Sequence, residues 1–105
     1  MGLFADDSEE AATYHACRNT PQNERVAPDH LAAAGAYAAS LAWAGRLVRY
    51  GRPRGFDQAR HFASEAAEAF IDEVVKEHPA EPDEIAGAKR LAAQRYEAAL
   101  HAEYD

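Results

Sequence analysis

The chain has 105 residues, with eleven basic against eighteen acidic side chains and a formal charge of −7. That length supports one domain with one modest core, and the acidic balance excludes nonspecific nucleic-acid binding over the whole surface. Cys17 is the lone cysteine, which excludes an internal disulfide and any multi-cysteine metal centre and suits a reducing, cytoplasmic setting.

No charged segment leading into an apolar run opens the chain, so no secretory leader is expected. Met1-Gly2 lacks the serine or threonine that acylation needs at position 6, where Asp6 stands. Residues 1–7 read as an arm in which Leu3 and Phe4 anchor under the first helix. That helix is expected from Asp7, taken as its cap, to about Arg18. Glu9 and Glu10 suit its N-terminus, and Ala11, Tyr14 and Cys17 face inward. Thr20-Pro21-Gln22-Asn23 breaks it.

Pro28 and Asp29 open the central helix, which ends near Tyr50. Sixteen of the eighteen residues from Leu31 to Val48 are apolar or glycine; only Ser40 and Arg46 interrupt. A helix apolar all round must be covered on several sides, and its small residues at four-residue spacing let neighbours approach closely. The run is just long enough for a membrane span. Its alanine and glycine content, Arg46 and the acidic surroundings favour the buried helix of a bundle instead, so no membrane span is expected.

Gly51-Arg52-Pro53-Arg54-Gly55 forms a tight loop. Asp57 is taken as cap of a third helix from about Phe56 to His78, with Ala59, Ala63, Ala66, Phe70 and Val74 inward. His78-Pro79 ends it. Asp83 and Glu84 open the last helix, which carries Ile85, Ala88, Ala92, Tyr96 and Leu100 on its inner face. The expected architecture is all-α: a single up-and-down bundle over residues 1–105, with one short and three long helices around the alanine-rich one.

Three constellations could carry chemistry. His61, Glu65, Glu68 and Asp72 share one narrow face of the third helix, a pattern usable for a divalent metal or for acid–base catalysis. The Glu-x-x-His motif of paired-carboxylate bundles is absent, and a solvated amphipathic face explains the stripe as well. Arg46, Arg49, Arg52, Arg54 and Arg60 put five of the eleven basic residues within fifteen positions. Of these, Arg49, Arg52, Arg54 and Arg60 are the candidate site for a small anionic ligand, beside a turn and a helix start. No phosphate-cradling glycine motif accompanies them, and pairing with the acidic excess, within the chain or across a dimer, is the simpler expectation. Of the five histidines, His15 beside Tyr14 joins His61 as a catalytic candidate; no histidine pair has the metal-binding i, i+4 spacing.

Several segments together resemble the fungal CipC-like proteins, known as concanamycin-induced or antibiotic-response proteins. They are Met1-Gly2-Leu3-Phe4, Asp6-Asp7-Ser8, Tyr14, His30-Leu31, Ala33-Ala34-Gly35-Ala36, Gly51 with Pro53, Ala69-Phe70-Ile71-Asp72 and Ala88-Lys89-Arg90. The resemblance implies a small, cytosolic, helical, stress-associated protein and brings no catalytic residues with it. This chain departs from the family in having Trp43-Ala44-Gly45-Arg46 where a Tyr-Glu-Asp-like segment is usual. The family's partners for the acidic stripe are therefore not carried over.

The leading expectation is a noncatalytic stress-response bundle acting as a homodimer or through a protein partner, with no cofactor. The alternative is a small hydrolase of a phosphorylated substrate such as a nucleotide. Its arginines would hold phosphate, and His61 with the carboxylates would activate water, with or without a divalent metal. A carrier of an apolar small molecule is the third reading, and the many alanines argue for tight packing against it.

Overall fold

The computed structural model describes residues 2–104; Met1, the first residue of the expected arm, and Asp105 lie outside them. Four helices follow one another: α1 (Glu9–Arg18), α2 (Pro28–Tyr50), α3 (Phe56–Glu77) and α4 (Pro82–Tyr104). With no strand among the described residues, the chain is the expected all-α up-and-down bundle.

The helix ends follow local chemistry. Ser8, not Asp7, caps α1, its Oγ accepting the Ala11 amide at 3.1 Å. A serine one residue nearer the helix reaches that amide, and Asp7 remains exposed. Pro28 sits in the first turn of α2, where its missing N–H costs nothing. Gly51 ends α2 at φ +80, a conformation that favours glycine. Asp57 does not cap α3: it lies in the first turn behind Gly55, and the cap position has no side-chain hydrogen bond. Glu84 Oε1 reaches back to the Glu81 amide at 2.9 Å, half of a capping box at the start of α4.

Every other helix packs on α2. The main core joins α2 to α3 and α4 through Leu31, Ala32, Ala39 and Trp43, against Ala59, Ala63, Ala67 and Ile71, and Ala88, Ala92, Tyr96 and Leu100. The inner face of α3 is thus the strict i, i+4 line ending at Ile71; Ala66, Phe70 and Val74 flank it, half-buried, rather than forming its centre. The rotation has a physical reason. Phe70 and Val74 bridge the main core and the smaller cluster of Ala11, Tyr14, Cys17, Ala34 and Tyr37, with the Tyr14 and Phe70 ring centroids 5.2 Å apart. Alanine lines bring the helices close, and at Gly35 an added Cβ would lie 3.0 Å from Ile71 Cδ1.

The arm is anchored from inside the core. Ser40, 1 % exposed, accepts the amides of Leu3 at 2.7 Å and Phe4 at 3.1 Å. Leu3 then packs on the main core and Phe4 on the smaller cluster. At the far end, His78 is buried and its Nδ1–H donates to the Glu24 carbonyl at 2.7 Å, because a carbonyl can only accept. The Asn23 amide donates to the Glu77 carbonyl at 2.8 Å, so the loop after α1 is fastened to the end of α3.

The central helix is not covered throughout. From Leu31 to Ser40 all its residues are buried except the half-buried Ala38, but Gly45 is exposed, Leu41 is 46 % exposed and Val48 is 84 % exposed. The reason is length. The ten residues of α1 span about 15 Å, whereas the 23 of α2 span about 34 Å. α1 covers Ala34 and Tyr37, and the same face continues uncovered as Leu41, Gly45 and Val48. α2 has the length and apolarity to cross a membrane, and 56 % of its most apolar window is buried by the other helices.

Candidate functional site

Where α1 stops, α2 and α3 leave a surface groove of about 540 Å³. Ala42, Gly45 and Phe62 give it an apolar floor, while Arg46 and Arg49 from α2 face His61 and Glu65 from α3. No Cβ stands at Gly45, and one placed there would meet nothing within 4 Å. The Arg46 guanidinium lies over the Phe62 ring, 5.8 Å from its centroid, so a cation and an apolar surface adjoin.

The acidic stripe of α3 is divided. His61 Nε2 lies 2.6 Å from Glu65 Oε1, and both line the groove. Asp72 is engaged by Lys89 of α4 at 2.8 Å. Glu68 lies toward Tyr96, whose phenol is pushed up first by burial, then by Glu97 and Glu68. From His61 to Asp72 the helix rises about 16 Å, too far for one small site. Among the described residues no three His, Cys, Asp or Glu side chains are placed to hold a metal ion.

The anion-site arginines also disperse. Arg49 lines the groove, but Arg52 lies 4.3 Å over the Tyr104 ring at the end of α4. The Arg54 amide donates to Gln58 Oε1, and the Arg60 side chain lies 3.7 Å from Asp57. His15 packs edge-on against Tyr14, in the α1 cluster, and does not share the groove with His61.

Of the basic island, Arg60 pairs with the acidic excess within the chain. Among the described residues, carboxylates engage Arg25, Arg60, Lys76, Lys89 and Arg95 but not Arg46, Arg49, Arg52 or Arg54. The reason is local: Arg46 and Arg52 lie on aromatic rings, while Asp57 and Glu65 face Arg60 and His61. Sequence reasoning does not single out Gly45 and Phe62 as groove residues. The signal for Gly45 is a second glycine in the central helix with no turn to explain it; Phe62 has none, lying off the apolar line of α3.

Fold and groove together define a small all-α bundle with an incompletely covered central helix and, beside it, a pair of arginines with no carboxylate partner among the described residues. The family model described as virulence factor CipC-like matches residues 13–103, and the chain belongs to the CipC-like family. The match covers part of α1 and nearly all the remaining fold; the opening Met1–Ser8 segment lies before it. No curated protein and no solved structure matches the chain.

Proposed function

We propose that this chain is a noncatalytic, cytosolic stress-response protein that acts as a homodimer, joined through the uncovered half of α2. The exposed line of Leu41 and Val48 carries this reading. It continues the face that α1 covers further back, so a second copy placed there completes the burial that the short α1 leaves undone. A twofold contact of one face with itself gives a closed dimer. The family's description as virulence-factor-like accords with a stress or host-associated role.

Sedimentation equilibrium tests the proposal. A concentration-dependent dimer is expected, converted to monomer in the Leu41→Gln, Val48→Gln double variant with helical content unchanged. A wild type that stays monomeric, or a dimer unaffected by the two substitutions, overturns it.

The hydrolase reading has one observation in its favour, the short His61–Glu65 contact. It needs several arginines around one phosphate, whereas Arg52, Arg54 and Arg60 lie outside the groove that Arg49 lines. The dimer reading is therefore the stronger.

A further inference from the structure

We infer that the groove between α2 and α3 binds an amphipathic monocarboxylate, a small acid with one anionic head and an apolar body. This goes beyond the dimer reading and does not depend on it. The volume of about 540 Å³ lies in the range of small-molecule sites. Along α2 the groove extends from Ala42 to Tyr50, about 12 Å, which suits a short acyl or aryl body rather than a docked protein.

Charge selects the head. Among the described residues Arg46 and Arg49 have no carboxylate partner, whereas Glu65, the carboxylate in the lining, is partnered by His61. Two arginines against one carboxylate leave the lining an excess of one positive charge, which a monoanion matches and a nucleotide phosphate chain exceeds. The floor selects the body. Gly45 leaves open space, and Phe62 presents a ring with the Arg46 cation above it, so head and body each meet a complementary surface side by side. The tight alanine packing that counts against a carrier concerns the core; this groove lies outside it, on the surface.

Isothermal titration with decanoate, kept below its micellar concentration at neutral pH, tests the site against 1-decanol and acetate. Decanoate should bind saturably, one per chain and about tenfold more tightly than 1-decanol, with acetate giving no measurable heat. Arg46→Gln with Arg49→Gln should weaken decanoate about tenfold and leave 1-decanol unchanged. Gly45→Leu, which fills the floor, should abolish both while the circular dichroism stays wild type. The Leu41→Gln, Val48→Gln variant should keep decanoate binding whether or not it dimerises. Absence of saturable decanoate binding, equal affinity for decanoate and 1-decanol, or binding indifferent to both groove variants overturns the inference. Loss of binding in the Leu41→Gln, Val48→Gln variant also overturns it, by placing the ligand on the other face.

Discussion

The Ser40 hydroxyl accepts the Leu3 amide at 2.7 Å, joining the start of the chain to the middle of its most buried helix. The same oxygen takes the Phe4 amide, so one side chain satisfies two arm donors that would otherwise lose partners on packing. Ser40→Ala should therefore lower unfolding stability by about 1–3 kcal/mol, measured by urea denaturation. Amide exchange at Leu3 and Phe4 should accelerate sharply while exchange in α3 changes little. Equal acceleration throughout the molecule would contradict an arm held mainly at Ser40.

Gly35 of α2 packs directly against Ile71 of α3, and the fit is tighter than an added methyl group accepts. A Cβ at Gly35 falls 3.0 Å from Ile71 Cδ1, and Ile71 is fully buried and poorly placed to yield. Gly35→Ala should destabilise by about 1–2 kcal/mol, overpacking outweighing the gain in helix propensity. Ile71→Ala removes both obstructing carbons, Cδ1 at 3.0 Å and Cγ1 at 3.1 Å, so in that background Gly35→Ala should become neutral or stabilising. A double-mutant cycle by thermal unfolding measures the reversal, and additive effects would refute it.

Much of this architecture is legible in the residues themselves. The small-residue run of the thirties predicts close helix approach, and Pro28, Gly51 and Pro79 mark helix boundaries by their backbone restrictions. The Ala88, Ala92, Tyr96 and Leu100 face of α4 is read directly from its spacing. What periodicity cannot give is how far each helix is covered. Leu41 and Val48 look as apolar as Leu31, and their exposure depends on where α1 ends in space. Periodicity shifts the inner line of α3 for a related reason: Phe70 satisfies an inward spacing, yet it is shared between the main core and the α1 cluster, and the centre passes to Ala67 and Ile71. For the site, His61 with Glu65 follows from i, i+4 geometry, and Arg49 is a candidate from the basic cluster. Its union with them, and the dispersal of Arg52, Arg54 and Arg60, depend on the crossing of α2 and α3.

Gly45 presents the opposite case to Gly35. It lies within α2, exposed, with no left-handed φ, and a Cβ added to it would project into open space. Gly45→Ala should raise stability by about 0.5–1 kcal/mol, through reduced freedom of the unfolded chain and better helix propensity. Chemical denaturation in the Leu41→Gln, Val48→Gln background isolates that local effect from any change in association. A loss of stability there would show that the glycine is needed by the fold of the single chain.

Cys17 is 4 % exposed, and burial pushes its thiol up. Near neutral pH the reactive thiolate is therefore scarce as well as shielded. Labelling by a disulfide reagent such as dithionitrobenzoate should be slow in the folded protein and accelerate as urea opens the α1 cluster. Labelling as fast as in the unfolded chain would mean that α1 is detached from α2.

Acid stability tests the start of α4. The Glu81 amide, followed by Arg25, holds the Glu84 carboxyl below its ordinary value of 4.5. The folded protein then binds this proton less readily than the unfolded chain. The stabilisation is complete above that ordinary value and is lost as pH falls through the lower folded value. Glu84→Gln keeps an oxygen for the Glu81 amide but removes the titration. The stability difference between wild type and variant should therefore be constant from about pH 6 to 7 and shrink steadily below about pH 4.5. Urea unfolding across that range measures it, and a difference that stays constant into acid would show that Glu84 contributes nothing through its charge.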